Sequence, residues 1–136
     1  YNTHLHNGRE ARALRLAQVR RILGWMADDT GPAVFAGDFN ATPGSDVVAC
    51  VSERMRSAYA AVHGREPDGT VPAPLNSEWG QPPKTIDYVF VSDGTTVRDA
   101  RIVFDAVAPD DARLSASDHY GIAVSLETGA ASAPLG

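Results

Sequence analysis

Four short polar motifs, each bordering an apolar run, constrain the fold of this chain more than any other feature of its sequence. They are Thr3-His4-Leu5, Gly37-Asp38-Phe39-Asn40, Ile86-Asp87-Tyr88 and Ser117-Asp118-His119. Short apolar runs bounded by polar residues are typical of strands, and polar residues at the ends of neighbouring strands gather at one edge of a sheet. The pattern therefore predicts a layered α/β domain in which these side chains meet.

Length and composition indicate one domain of ordinary globular type. The chain has 136 residues, and a domain of about 150 residues buries about two-thirds of its unfolded surface. No apolar run approaches the roughly 18 residues of a membrane span, which predicts a soluble protein. The net charge of -5 argues against binding nucleic acid through a broad basic surface. Cys50 is the one cysteine, so an internal disulfide is excluded.

The chain opens at Tyr1 as though inside a strand, with no leader pattern, and we therefore expect it to be truncated. The compartment in which it works is left open, cytoplasmic or exported.

A helix is predicted over residues 10 to about 28, where apolar residues recur at steps of three and four. Its arginines lie largely off the apolar stripe and are interpreted most simply as a solvated face; they are Arg9, Arg12, Arg15, Arg20 and Arg21. The run 33–36 predicts a strand buried on both faces. Ser45 is predicted to cap a short helix that ends at about Val51.

The second half of the chain predicts loops and strands. Residues 64–83 are rich in Pro, Gly, Asp, Asn and Ser and predict a long ordered loop. Strands are predicted over 85–92 and about 97–104, joined as a hairpin by a tight turn at Asp93-Gly94. The polar segment 109–117 leads to a final strand over 119–126. The expected architecture is a mostly antiparallel sheet with helices on one side.

Asp38 and Asn40 lie two residues apart after a buried strand, so in extended geometry both side chains point the same way. A carboxylate and an amide in that arrangement suit orienting a water molecule against a phosphorus atom. Because Thr42-Pro43-Gly44 follows, the same two residues also fit an ordinary turn with local hydrogen bonds. From the residues alone the two interpretations are even.

Asp87 lies within the apolar run 85–91, where a buried carboxylate is costly unless it is paired. His119 is the expected partner, since a carboxylate can hold a histidine in one tautomer. The alternative is that the odd-numbered positions of this strand face solvent. Val89 and Val91 share that face and argue against this alternative.

Four further residues are candidates for the site: Asp118, His4, Lys84 and Trp79. Asp118 and His119 are adjacent, so both serve one site only if Asp118 still belongs to the preceding loop, where its oxygens would suit a hard cation such as Mg²⁺. His4 taken alone is better explained as a solvated strand histidine. Lys84 could pair with a phosphate, although a lysine before a strand is usually just solvated. Trp79 could stack on a base or a lipid headgroup, or anchor its loop, which is the commoner role.

In order and spacing the four motifs resemble the endonuclease/exonuclease/phosphatase superfamily, whose members include deoxyribonuclease I, abasic-site endonucleases, bacterial sphingomyelinases and inositol-polyphosphate phosphatases. The resemblance spans about residues 1 to 127 and implies a deoxyribonuclease-I-like four-layer α/β sandwich. The first half of that fold supplies an Asn and a metal-binding Glu whose motifs are not present here. Residues 1–127 would then be the C-terminal half of the domain, and 128–136 a flexible tail. The missing half or a second copy would cover the exposed sheet face.

The resemblance also implies roles for the first two motifs. His4 would contact the scissile phosphate, and Asp38 would orient or activate the attacking water. Asn40 would help to bind phosphate and water.

For the last two motifs, the resemblance implies that Asp118 is a metal ligand or lies near one. His119, paired with Asp87, would act as general base or stabilise the pentacovalent transition state. The implied reaction is Mg²⁺- or Mn²⁺-dependent hydrolysis of a phosphoester, with nucleic acid, a phospholipid headgroup or a sugar phosphate as substrate. Without the Glu, these residues alone are not expected to reach the activity of the whole domain. The alternative function is a non-catalytic scaffold that binds protein, but a scaffold needs none of these polar side chains.

Overall fold

The chain is described by a computed structural model over residues 1–8, 10–71 and 82–128. Its elements in chain order are β1 (Asn2–His4), α1 (Arg12–Met26), β2 (Val34–Asp38), α2 (Asp46–Ser52), β3 (Arg56–Ser57), α3 (Ala58–His63), β4 (Asp87–Val91), β5 (Thr95–Val103), β6 (Val107–Ala108), β7 (Asp111–Ser115) and β8 (Gly121–Thr128). In these ranges we find no helix with both the length and the apolar character needed to cross a bilayer. The last strand includes Thr128, and the rest of the expected tail lies outside the described residues.

The central sheet has four strands in the order β1-β2-β4-β3. β1 runs parallel to β2, and the other two pairings are antiparallel. The long strands β5 and β8 form a separate antiparallel pair, and β6 pairs with β7 in a short hairpin. The predicted mixed α/β class with mostly antiparallel strands is confirmed, although the strands divide among three ladders.

Aromatic side chains hold the helices against one face of the central sheet. Phe39 is fully buried and makes edge-on contacts with Phe35 and Phe90, with ring centroids 4.8 and 5.3 Å apart. The apolar stripe of α1 reaches this cluster through Val19 and Leu23, as its spacing predicted. α2 contributes Val47, Val48 and Val51. Ser45 accepts a hydrogen bond from the backbone N–H of Val48 (3.3 Å), which confirms the predicted cap.

The predicted hairpin between the strands on either side of Asp93-Gly94 is wrong. The turn itself is present, with Gly94 at φ +81°. However, β4 pairs with β2 along its whole length and with β3 at Phe90 and Val91, so both of its edges are occupied at the end next to the turn, where a hairpin with β5 would begin. β5 pairs with β8 instead.

Two other expectations about secondary structure need correction. No strand is predicted within the polar segment 109–117, yet it contains β7, whose backbone groups pair with β6. In β2 only Phe35 is fully buried, whereas Val34 and Ala36 are half-buried. The expected burial of this strand on both faces is therefore incomplete, because one sheet face has no full cover among the described residues.

Gly37 fixes how closely β1 approaches β2. Its backbone has φ +133°, and a Cβ atom built there would lie 1.9 Å from the carbonyl oxygen of Thr3. Side chains are strained at this φ and have no room at this distance, so the position requires glycine.

We predict that Gly37→Ala lowers the free energy of unfolding by about 2–4 kcal/mol, because the new methyl group collides with backbone. The control is Gly24→Ala in α1, where a Cβ would meet nothing within 4 Å. That variant should gain about 0.5–1 kcal/mol from the better helix propensity of alanine. Urea unfolding measures both values, and equal effects of the two substitutions would contradict the close approach described for Gly37.

Candidate active site

One transverse row of the central sheet carries three of the predicted site residues. In the strand register His4 lies opposite Asp38, and Asp38 lies opposite Asp87. Residues paired across neighbouring strands point to the same face, so the three side chains share the face opposite the helices. Strand pairing thus unites positions that are far apart in the sequence.

His119 joins this row from the loop between β7 and β8. Its Nδ1 lies 2.9 Å from Asp87 Oδ2, which confirms the predicted pair. With Asp87 ionised, Nδ1 is the nitrogen that donates, because a carboxylate only accepts hydrogen bonds, and Nε2 then stays available to a ligand. The loop is held in place because the backbone N–H of His119 donates to Ser117 Oγ (3.1 Å) and that of Tyr120 donates to Thr70 O (2.8 Å).

Asn40 forms a local turn and also places its side-chain amide beside Asp38, so that both interpretations of the sequence apply in part. Its φ of +47° makes a turn, so the expected extended geometry is wrong. Its backbone N–H donates to Asp38 Oδ1 (2.7 Å), as in an ordinary local turn. Its Nδ2 donates to Leu5 O (2.9 Å) and at longer distance to Asp38 Oδ2 (3.3 Å). Asn40 can therefore donate to a bound phosphate by exchanging the longer contact.

His4 lies at the open side of the row. Its Nε2 is 3.4 Å from Asp38 Oδ2, and its side chain is 70% exposed against 16% for Asp38. An exposed pair of this kind contributes little to stability. The imidazole is accessible to a ligand that approaches Asp38 from solvent.

The pKa of Asp87 is perturbed by its surroundings. Burial raises its pKa above the ordinary value of 3.8, and the nearby charge of Asp38 acts in the same direction. The Thr70 hydroxyl and His119 oppose this shift by favouring the charged form. Thr70 Oγ1 also accepts the backbone N–H groups of Ile86 (3.1 Å) and Asp87 (3.2 Å). Thr70 was not identified from the sequence, because a single threonine in a polar loop carries no distinguishing pattern.

A small cavity of about 190 Å³ opens beside Asp38 and Asp87. Tyr120 and Gly121, at the start of β8, form its other wall. Neither residue was predicted to belong to the site.

The remaining predicted residues lie apart from the row. Asp118 belongs to the loop, as its proposed role required, but it is exposed and its Oδ1 accepts a hydrogen bond from Ser117 Oγ at 3.2 Å. Lys84 is exposed, and its backbone pairs with Val71. Trp79 lies outside the described residues. The roles of all three stay predictions.

Asp38, Asp87 and His119 form a group that could hold a metal ion, with one potential ligand atom from each within 4.8 Å of the others. The two carboxylates repel each other, since the charge of Asp38 raises the pKa of Asp87. A divalent cation would relieve this repulsion, and carboxylate oxygens are the donors that Mg²⁺ and Mn²⁺ accept. The donor set therefore fits such an ion, with His119 already engaged by Asp87.

The sequence matches a known protein family over most of its length. The model of the Endonuclease/Exonuclease/phosphatase family matches residues 1–119. No curated protein matches the chain in sequence.

Solved structures similar to this chain include an endonuclease/exonuclease/phosphatase from Bacteroides vulgatus, at 27% identity and a TM-score of 0.64, covering 93% of this chain and 48% of that one. D. rerio TDP2 complexed with single-strand DNA product has 18% identity and a TM-score of 0.76, with 93% and 55% covered. A mannosyl-6-phosphatase of Bacteroides thetaiotaomicron has 24% identity and a TM-score of 0.65, with 93% and 49% covered. The chain thus spans about half the length of each of these structures.

We predict that Thr70→Val raises the pKa of Asp87 further in metal-free protein, because the variant loses the hydroxyl that favours the carboxylate. The folded chain retains this proton to higher pH than the unfolded chain. The Asp87 contribution to stability is therefore fully present below the unfolded pKa and is lost as pH rises through the folded pKa. Titration of the Asp87 carboxyl carbon by NMR, with chelator present, measures the shift.

The matched control for this titration is Thr85→Val. Thr85 is also buried, but its hydroxyl donates to Pro67 O (2.6 Å) and not to Asp87. An equal shift of the Asp87 titration in both variants would exclude the specific role of Thr70.

Proposed function

The chain belongs to the endonuclease/exonuclease/phosphatase family, and from that membership we propose that it carries the phosphate-binding and water-orienting part of a divalent-metal-dependent phosphoesterase. One observation carries the proposal: His4, Asp38 and Asp87 share a row of the sheet, and His119 joins it at 2.9 Å from Asp87. A protein-binding scaffold would not need a half-buried carboxylate such as Asp87, whose burial disfavours its charged form.

In this proposal each side chain has a distinct task. Asp38 orients the attacking water, and His4, exposed beside it, contacts the scissile phosphate. Asn40 shares the binding of phosphate and water. His119 presents Nε2 to the reacting group while Asp87 fixes its ring, either as general base or as a donor to the pentacovalent transition state.

A divalent cation, Mg²⁺ or Mn²⁺, would neutralise charge that develops on the phosphoryl oxygens. We propose Asp38 and Asp87 as its ligands in this chain because their oxygens lie in one group and repel each other. Asp118 is proposed as an additional ligand from the neighbouring loop.

The chain is further proposed to form the C-terminal half of a larger domain. It spans about half of the solved structures that it resembles, and the sheet face opposite the helices carries half-buried apolar residues such as Val34, Ala36 and Val89. Apolar sheet faces require cover. A second layer, from the rest of a longer chain or from a second copy, would supply it and complete the site.

Fold alone does not select the substrate. The printed names of two similar structures refer to DNA in one case and to a sugar phosphatase in the other. Nucleic acid, a phospholipid headgroup and a sugar phosphate all remain candidate substrates of this site.

We predict that the full gene product hydrolyses a generic phosphodiester or phosphomonoester with Mg²⁺ and loses this activity with chelator. His119→Ala should lower kcat by about 10²–10⁴-fold, the usual contribution of a positioned acid or base. His6→Ala, an exposed histidine outside the row, is the control and should stay within about twofold of the wild type. Full activity of the His119 variant, or activity without metal, would refute the mechanism. Hydrolysis of neither ester class would favour the scaffold.

We also predict where the metal binds. Asp38→Asn and Asp87→Asn should each weaken Mn²⁺ binding, followed by electron paramagnetic resonance, by at least about tenfold, since each removes a charged oxygen ligand. Asp118→Asn should weaken it by less than about threefold. The reverse order would identify Asp118 as the principal ligand in this chain and contradict the assignment made from the row.

A further inference from the structure

A second cavity, of about 530 Å³, adjoins the site at Asn40. Its walls come from the first turn of α1, through Arg12 and Arg15, and from the turn between β2 and α2. We call it the arginine cavity, defined by Arg12, Arg15, Asn40, Thr42, Ser45 and Asp46. The proposed mechanism does not use it.

The two arginines of this cavity are held in different ways. Arg15 is half-buried, and its Nη1 donates to the carbonyl oxygens of His6 (3.0 Å) and Gly8 (2.7 Å). Among the described residues no carboxylate pairs with it. Arg12 is exposed and pairs with Asp46, its Nη2 lying 2.9 Å from Asp46 Oδ2. Both guanidinium groups are thus oriented by contacts within the chain.

The charge of the cavity is positive in a chain that is acidic as a whole. Its lining carries two guanidinium groups and one carboxylate, whereas the net charge of the chain is -5. An exposed ion pair such as Arg12–Asp46 contributes little to stability. The pair also fixes the orientation of the Arg12 guanidinium. The N–H groups that do not contact Asp46 stay available to an oxyanion.

We propose that the arginine cavity binds a second phosphate group of the substrate, one linkage away from the phosphate that reacts. The inference rests on the proposed function, because it takes the reacting phosphate to lie at His4 and Asn40. Asn40 is common to the site and the cavity, which places the two next to each other. Guanidinium groups match phosphate geometry and retain their charge at all physiological pH values. The site would thereby select polyanionic substrates over simple monoesters.

Binding of phosphates to the metal-free chain tests this inference without relying on activity. The probes are inorganic phosphate, a thymidine dinucleotide with a 5′-phosphate, and glucose 1,6-bisphosphate. We expect at least one two-phosphate probe to bind at least about tenfold more tightly than inorganic phosphate. The Nε–H signals of Arg12 and Arg15 should shift in NMR spectra with that probe. A gain for the dinucleotide alone would indicate nucleic acid, and a gain for the bisphosphate alone would indicate sugar phosphates.

Matched variants separate local recognition from general charge. Arg12→Gln should remove most of the tenfold gain of the two-phosphate probe over inorganic phosphate. Arg20→Gln removes the same charge from an exposed position of α1 outside the cavity and should leave this gain unchanged.

The outcomes distinguish this inference from the proposed function. If the full gene product hydrolyses neither ester class with Mg²⁺, the proposed function fails, whatever the chain binds. If the two-phosphate probes gain nothing over inorganic phosphate, or Arg12→Gln and Arg20→Gln behave alike, the arginine cavity is not a phosphate subsite.

Discussion

The close approach of β1 to β2 at Gly37 is the constraint on which the rest of the site depends. The carbonyl oxygen of Thr3 occupies the space where a side chain at position 37 would begin. Strand pairing at this distance sets His4 opposite Asp38, and the antiparallel neighbour β4 brings Asp87 into the same row. The glycine of the Gly37-Asp38-Phe39-Asn40 motif therefore serves the site through backbone spacing and not through any chemistry of its own.

Side chains alternate along β4, so that one set faces the hydrophobic core and the other faces the candidate site. Tyr88 points toward the helices, where its hydroxyl lies within hydrogen-bond distance of two carbonyl acceptors, Ala41 O (2.9 Å) and Thr85 O (3.1 Å), while Asp87 points to the opposite face. The Tyr88 contacts tie the turn after Asn40 to the strand that carries Asp87. Burial disfavours the charged form of Asp87, and only part of that cost is offset by Thr70 and His119. Charged groups in positions where burial favours apolar ones are characteristic of functional sites.

Local patterns predicted the features that depend on neighbouring residues. Short segments were enough to predict three features: the three- and four-residue spacing in α1, the Ser45 cap and the need of a buried Asp87 for a partner. The hairpin prediction failed because both edges of β4 were already paired, which depends on residues far away in the sequence. The left-handed backbone of Asn40 and the support from Thr70 likewise depend on contacts that no local pattern encodes. For the site, motif order indicated which residues gather, but not that Asp118 would stay outside the group.

The length of the outer strand β3 affects how this sheet meets other chains. β3 forms one edge of the central sheet in the described part of the chain and has only two residues. A short edge strand presents few unpaired backbone groups, and this limits the edge-to-edge pairing by which sheets aggregate. The face with Val34, Ala36 and Val89 offers half-buried apolar side chains instead. Any layer that packs on this face would therefore meet side chains and not backbone groups, and it would lie over the same face that carries Asp38 and Asp87.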